Sequence, residues 1–175
     1  RDLRTCPGHI GHVDLPLPCY HIGYVEQTIK VLRSVCFMCS RLVLLPSEAE
    51  AARQDCESGK AIFFAVYTAA RAKKRCPYCQ CLKPLYTRNA LSIKLEWPAE
   101  AEGEWEDEAE RAFAHRPFTA GVALSILHNV SDADATLLGF SPDASHCRDL
   151  IMQCIVVPPP AARPAIARSR RETCR

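Results

Sequence analysis

Apolar residues recur at helical spacing in the segment 22–35. They are Ile22, Val25, Ile29, Leu32 and Val35. Side chains at this spacing share one face of a helix, so the pattern predicts an amphipathic helix that ends next to Cys36. Further along, Ser47 and Glu50 have the spacing of a capping box, which predicts a second helix running to Ala72 with a weak point at Gly59.

Two later segments have the patterns of strands. Between positions 85 and 97 apolar and polar residues alternate, which predicts a half-buried strand. The apolar run 150–157 predicts another strand, which Pro158 and the prolines after it would end. Thr119 and Ser131 are predicted to cap two short helices. The expected fold class is therefore α+β, with short helices and strands arranged irregularly around a metal.

Charge is segregated along the chain. The 175 residues have a formal net charge of only +2, but seven acidic residues fall between Glu100 and Glu110, and five arginines lie from position 163 onward. The acidic stretch is typical of a solvated linker or exposed turn. We therefore expect a zinc-binding region at 1–98, an acidic linker at 99–117, and a region at 118–175 that contains small helices, a strand and a basic, proline-rich end. No apolar run is long enough to span a bilayer.

The strongest chemical signal is a pair of CxxC motifs. Their four cysteines are Cys36, Cys39, Cys76 and Cys79. Two such pairs can supply the four thiolates of a tetrahedral Zn²⁺ site, each pair providing half of the ligands. A thioredoxin-like redox pair is normally single and lies between a strand and a helix, whereas this chain has two pairs. Because no secretory signal is present, a disulfide framework is not expected and the compartment should be reducing.

Other cysteines and histidines leave several alternatives open. Cys6 and His9 could supply half of a second zinc site, although two further ligands would have to lie upstream of Arg1, as in a piece of a longer protein. Cys81 could replace Cys79 as a ligand. The remaining cysteines are most simply buried or incidental thiols, and His12 and His21 are most simply packing or hydrogen-bonding residues.

Three segments of the chain carry a family resemblance: positions 6–24 are CPGHIGHVDLPLPCYHIGY, positions 31–40 are VLRSVCFMCS, and positions 156–166 are VVPPPAARPAI. Taken in order, they resemble the amino-terminal clamp region of the largest subunit of multisubunit DNA-directed RNA polymerase. The similarity covers nearly the whole chain. The CPYC motif after Lys73, Lys74 and Arg75, the DLPLPCY run and the lead-in at 148–151 resemble the class III nuclear enzyme more than class II.

The resemblance implies roles for particular residues. Cys36, Cys39, Cys76 and Cys79 would form a Cys₄ zinc site in the clamp, and Cys6 and His9 would be two ligands of a Cys₃His zinc site. Arg163 occupies the family's Arg-Pro position in the segment that leads toward the nucleic-acid channel. Arg163 and Arg168 are therefore expected to contact nucleic acid, with salt-dependent and sequence-independent binding.

The resemblance also implies a function. The complete enzyme is a nucleotidyltransferase in the nucleus that uses two Mg²⁺ ions, and its partners are other polymerase subunits, the DNA template and the RNA–DNA hybrid. The family holds the main Mg²⁺ with an NADFDGD motif that this chain lacks, so no catalytic residue is expected here. We expect a clamp that helps to hold DNA during transcription. The alternative is an autonomous zinc-ribbon module that binds nucleic acid or protein. An independent module would not be expected to begin with an incomplete metal site such as Cys6 and His9.

Overall fold

The computed structural model describes residues 8–103, 112, 115–141, 143–159 and 162. Within them the chain forms both helices and strands, which confirms the α+β prediction. The helices are α1 (Val25–Ser34), α2 (Pro46–Arg53), α3 (Gly59–Ala72), α4 (Ala120–His128) and α5 (Asp132–Leu137). The strands are β1 (Gly11–Tyr20), β2 (Leu85–Asn89), β3 (Ser92–Glu96) and β4 (Ile151–Val157). Short 3-10 helices occupy Ala99–Gly103 and Cys147–Leu150.

Strands β1 and β4 form an antiparallel ribbon that joins the two ends of the described chain. Gly11 lies opposite Val157, and Tyr20 lies opposite Ile151. The register shifts between Asp14 and Cys19, the part of β1 that contains two prolines. Proline has no N–H to donate to a strand partner, which accounts for an irregular ladder there. The strand predicted at 150–157 is confirmed as β4.

Strands β2 and β3 form a hairpin, so the single strand predicted across 85–97 is wrong. Leu85 pairs with Glu96 and Asn89 with Ser92, and Ala90 takes a left-handed conformation with φ 51° in the turn between them. The Ser92 hydroxyl donates a hydrogen bond of 2.8 Å to the Asn89 carbonyl. Apolar and polar residues alternate through the turn as well as within each strand. The alternation therefore did not indicate that the chain reverses direction between β2 and β3.

Helix α1 lies at the centre of the main hydrophobic core. Its buried residues Val25, Ile29 and Leu32 share one cluster with side chains from α3, the β2–β3 hairpin, α4 and α5. Two polar residues on α1, Thr28 and Ser34, are also buried, and their hydroxyls donate to the carbonyls four residues earlier. Burial is tolerated because these hydroxyl groups keep hydrogen-bond partners.

The segment predicted as one helix from Ser47 to Ala72 forms two helices. Helix α2 begins one residue earlier, at Pro46, and the Glu48 carboxylate accepts a 3.0 Å hydrogen bond from the Leu45 N–H, so the predicted Ser47 cap is wrong. Helix α3 begins at Gly59, where the Ser58 hydroxyl accepts from the Ala61 N–H. Gly59 thus opens a helix and does not interrupt one.

The two short helices predicted after position 118 are confirmed together with their caps. The Thr119 hydroxyl accepts a 3.4 Å hydrogen bond from the Val122 N–H at the start of α4, and the Ser131 hydroxyl accepts one of 3.1 Å from the Asp134 N–H at the start of α5. Of the acidic stretch, the described part forms the Ala99–Gly103 turn, in which Ala101 is buried against Leu82.

Helix α5 ends at a close contact between two backbone segments. Gly139 has φ 90°, and its N–H and that of Phe140 donate to the Thr136 and Ala135 carbonyls, the pattern of a Schellman motif. A Cβ on Gly139 would lie 2.8 Å from the Gly59 carbonyl oxygen, at the start of α3. Only glycine satisfies both the positive φ and this contact.

We expect Gly139→Ala to lower the free energy of unfolding by at least about 1–2 kcal/mol, because alanine is strained in the left-handed region and its Cβ would push against α3. Denaturant titration of the metal-loaded chain measures this. The matched control is Gly11→Ala, whose Cβ would have no neighbour within 4 Å. Equal stability of the two variants would contradict the proposed constraint.

Candidate metal centre

The first CxxC motif forms a tight loop at the end of α1. Val35 and Leu42 make an antiparallel bridge, the Cys36 N–H donates to the Arg41 carbonyl at 2.8 Å, and the Ser40 N–H donates to the Cys36 carbonyl at 3.0 Å. Ser40 takes φ 57°, which turns the chain back after the second cysteine. Both cysteines therefore lie on one side of a closed loop, the first knuckle.

The second CxxC motif, after α3, repeats this geometry. Arg75 and Leu82 form the bridge, the Cys76 N–H donates to the Cys81 carbonyl, and the Gln80 N–H donates to the Cys76 carbonyl, each at 3.0 Å. Gln80 takes φ 60°, the counterpart of Ser40. We call this loop the second knuckle. Each knuckle presents two sulfur atoms, and the two loops face each other.

The four sulfur atoms lie close enough to share one ion. The Sγ atoms of Cys36, Cys39, Cys76 and Cys79 all lie within 4.8 Å of one another. The Cys36–Cys79 separation is 3.4 Å and the Cys39–Cys76 separation is 3.6 Å. A tetrahedron with metal–sulfur bonds of about 2.3 Å has sulfur–sulfur edges of about 3.8 Å. The arrangement therefore fits a four-thiolate metal site, and the structure brings together the four cysteines of the two CxxC motifs.

Burial and hydrogen bonds together shift the pKa values of these four thiols. Burial raises the pKa of Cys39 to about 11, and it also raises the pKa of Cys79. A side-chain hydrogen bond with Cys81, and then burial, raise the pKa of Cys36. At Cys76 burial acts in the same direction, but backbone N–H groups of Cys79 and Tyr78 stabilise the thiolate, and the pKa is lowered. A metal must displace most of the thiol protons, so its affinity falls as the pH falls.

A cation–π contact joins the two knuckles outside the sulfur cluster. The Arg41 guanidinium lies 4.9 Å from the ring centroid of Tyr78, so a residue just after the first motif packs on a residue inside the second. Such contacts contribute about 0.5–1 kcal/mol at exposed sites. The sequence analysis missed this contact. Only the positions of Arg41 just after the first motif and of Tyr78 inside the second could have indicated it.

The other predicted site residues are not part of the four-sulfur cluster or lie outside the described residues. Cys6, Arg163 and Arg168 lie outside the described residues, and His9 is exposed. The Cys81 thiol is half-buried, donates to the Leu82 carbonyl at 3.3 Å, and is not a member of the four-sulfur cluster. The second zinc site and the nucleic-acid contacts of the two arginines therefore remain predictions.

Comparison with known proteins identifies the class to which this geometry belongs. The family model described as RNA polymerase Rpb1, domain 1, matches residues 1–174. The chain therefore belongs to the family of RNA polymerase largest-subunit amino-terminal domains, as its sequence motifs had indicated.

Individual relatives come from a eukaryote, an archaeon and a virus. DNA-directed RNA polymerase II subunit RPB1 of Euplotoides octocarinatus is 29% identical over 94% of this chain. Subunit Rpo1N of Methanothermobacter thermautotrophicus (strain Delta H) is 31% identical over 92% of it, and subunit 1 of Acanthamoeba polyphaga mimivirus is 30% identical over 92% of it. The chain spans 36%, 17% and 11% of these relatives. In the described part of the chain, no helix has the length and apolarity needed to cross a membrane.

We expect the purified chain to bind one metal ion at the four-cysteine cluster, and Cys36→Ser or Cys79→Ser to remove it. Elemental analysis measures the stoichiometry, and the absorption spectrum of the Co²⁺-substituted chain reports tetrahedral thiolate ligands. Cys81→Ser is the matched control because it removes a neighbouring thiol outside the cluster, and it should leave the metal content unchanged. Loss of the metal in Cys81→Ser alone would assign the ligands differently.

Proposed function

We propose that this chain forms the zinc-containing head of the clamp in the largest subunit of a DNA-directed RNA polymerase. The match of the polymerase family model to residues 1–174 carries this proposal. The four-cysteine cluster supports it, because the family resemblance implies a Cys₄ site formed by these residues. In the complete enzyme the clamp would help to hold DNA while RNA is synthesised from nucleoside triphosphates.

Zinc is the metal that the donor set favours. Four cysteine thiolates are the ligands of structural Zn²⁺ sites, and with all four positions filled the ion has no open position for a substrate. The metal would therefore act in folding and not in catalysis. Structural zinc contributes about 10–16 kcal/mol of apparent binding free energy, which is comparable with the total stability of an ordinary domain. A rigid clamp head would depend on it.

A second zinc site would involve Cys6 and His9. The resemblance assigns them as two ligands of a Cys₃His site, and the exposed position of His9 leaves its imidazole accessible to a metal. Two further cysteine ligands are required to complete the site. The complete subunit would then bind two zinc ions.

Nucleotidyl transfer would take place elsewhere in the complete subunit. The sequence contains no NADFDGD motif, so the catalytic Mg²⁺ would be held by residues outside this chain. Other polymerase subunits, template DNA and the RNA–DNA hybrid would be the partners of the assembled enzyme. A nuclear enzyme of class III is our proposal for the subtype, supported by the CPYC and DLPLPCY motifs.

Arg163 and Arg168 are proposed to contact nucleic-acid phosphates near the channel. Arginine guanidinium groups bind phosphate through several N–H donors, and the resulting affinity depends on salt but not on base sequence. Such contacts would keep the clamp closed on DNA without selecting a promoter.

In the assembled polymerase, Arg163→Ala combined with Arg168→Ala should shorten the lifetime of promoter open complexes. Each lost phosphate contact should also reduce the salt dependence of binding by about one unit of log K against log salt. The lifetime is measured after a competitor challenge at several salt concentrations.

Arg170→Ala combined with Arg171→Ala is the control for that experiment, because it removes the same charge from the same basic end of the sequence. We expect this control to leave the lifetime close to that of the unmodified enzyme. If Arg163→Ala and Arg168→Ala changed neither the lifetime nor its salt dependence, the assignment of these arginines would be wrong.

A further inference from the structure

A basic cavity of about 430 Å³ lies between the end of α3 and the start of β2. Five cationic side chains line it, and Glu100 is the one carboxylate among its described lining residues. The five cations are Arg33, Arg71, Lys73, Lys74 and Lys83. These residues come from α1, from the end of α3 and from the segment before β2, so the cavity exists only in the folded chain.

Two of the cations are partly buried and have only neutral partners. The Lys83 ammonium donates to the Ala70 carbonyl at 2.7 Å, and the Arg33 guanidinium donates to the Tyr67 hydroxyl and the Tyr86 carbonyl. Burial, and then the charge of Arg33, lower the pKa of Lys83 to about 8. Within the described part of the chain, no carboxylate forms an ion pair with either residue. Two like charges therefore share a poorly solvated space without a partner among the described carboxylates, and the negative charge that acts to raise the pKa of Lys83 is that of the Cys36 thiolate.

The rim of the cavity adds further positive charge. Arg71 and Lys74 are exposed, and no described carboxylate pairs with them, whereas Lys73 lies 2.6 Å from the Glu48 carboxylate. Two surface cations elsewhere are paired with carboxylates: Arg88 lies 3.0 Å from Glu26, and Lys94 lies 2.6 Å from Glu96. The cavity thus brings together four cations that have no ion pair with a described carboxylate, namely Arg33, Arg71, Lys74 and Lys83.

The backbone holds the cavity residues in place. The Lys83 N–H donates to the Lys74 carbonyl at 3.0 Å, which keeps these two residues side by side on the stem of the second knuckle. The Lys83 ammonium and the Lys73 N–H both donate to the Ala70 carbonyl at the end of α3, so two donors offset the negative charge of this acceptor. The positive groups are therefore ordered before any ligand arrives.

We propose that this cavity binds a backbone phosphate of duplex DNA, an inference that rests on the proposed clamp function and adds a contact point to it. A phosphate group has several acceptor oxygens and a negative charge, which match the half-buried Arg33 guanidinium and the half-buried Lys83 ammonium. Neighbouring phosphates along the same strand would meet Arg71 and Lys74 on the rim. The contact would be independent of base sequence, as a clamp requires.

The test is binding of the metal-loaded chain to a fluorescein-labelled DNA duplex of about 20 base pairs, followed by anisotropy between about 50 and 200 mM salt. Arg71→Gln combined with Lys74→Gln should weaken binding at least about tenfold at the lowest salt, and should reduce the slope of log K against log salt by about two units. Both residues are exposed, so an unchanged metal content verifies that the fold is kept.

Lys60→Gln combined with Arg148→Gln is the matched control, because these exposed cations lie outside the cavity lining. A change of less than about twofold in this control supports a specific contact. Equal weakening of both variants, or no DNA binding by the unmodified chain, overturns the cavity as a DNA site. Neither outcome bears on membership of the polymerase family, which rests on the match to residues 1–174, and the open-complex measurement tests the proposed clamp contacts separately.

Inorganic phosphate, titrated at constant ionic strength against chloride, separates the two sources of a phosphate group. Competition with DNA that is lost in Arg71→Gln combined with Lys74→Gln supports the proposal. Binding of inorganic phosphate at the cavity with no effect of the two substitutions on DNA affinity would show a site for free phosphate, and would overturn the assignment to DNA.

Discussion

The cluster of four sulfur atoms is the constraint on which the rest of the fold depends. Cys36 follows α1 and Cys76 follows α3, so one metal ion would join the ends of two helices that pack side by side. Each knuckle also places a leucine from its closing bridge, Leu42 or Leu82, in a hydrophobic cluster. Metal coordination and core packing therefore reinforce each other, which suits a domain whose helices are short and whose sheets have two strands each.

The parts of the structure that the sequence predicted are those specified by nearby residues. Capping by Thr119 and Ser131 depends on a hydroxyl three residues from its donor, and the two cysteines of each knuckle are paired by the CxxC spacing. The β1–β4 ribbon could not be predicted in this way, because its strands lie at opposite ends of the described chain and β1 contains prolines. The β2–β3 hairpin was missed because its turn uses Ala90 at positive φ, without the glycine that usually marks such a position.

The basic cavity was beyond sequence analysis for a different reason. Nothing in the positions of Arg33, Lys73 and Lys74 along the chain indicates that their side chains line one cavity. Their convergence with Lys83 follows from the packing of α1 against α3 and from the return of the chain through the second knuckle. Net charge gave no indication either, since the total of +2 averages an acidic segment against basic ones. Local concentration of charge, and not its sum, determines where an anion binds.

The metal centre and the basic cavity share one structural element. The second knuckle is closed by the Arg75–Leu82 bridge, and the next pair outward on the same stem is Lys74 and Lys83, joined by a backbone hydrogen bond. If the metal were removed, Cys76 and Cys79 would lose their link to the first knuckle, and the stem that holds the two lysines together would lose its anchor. Mutual repulsion between cations would then favour opening of the cavity. A zinc ion with no open coordination position would thus favour nucleic-acid binding indirectly, because it would hold Lys74 and Lys83 side by side against their mutual repulsion.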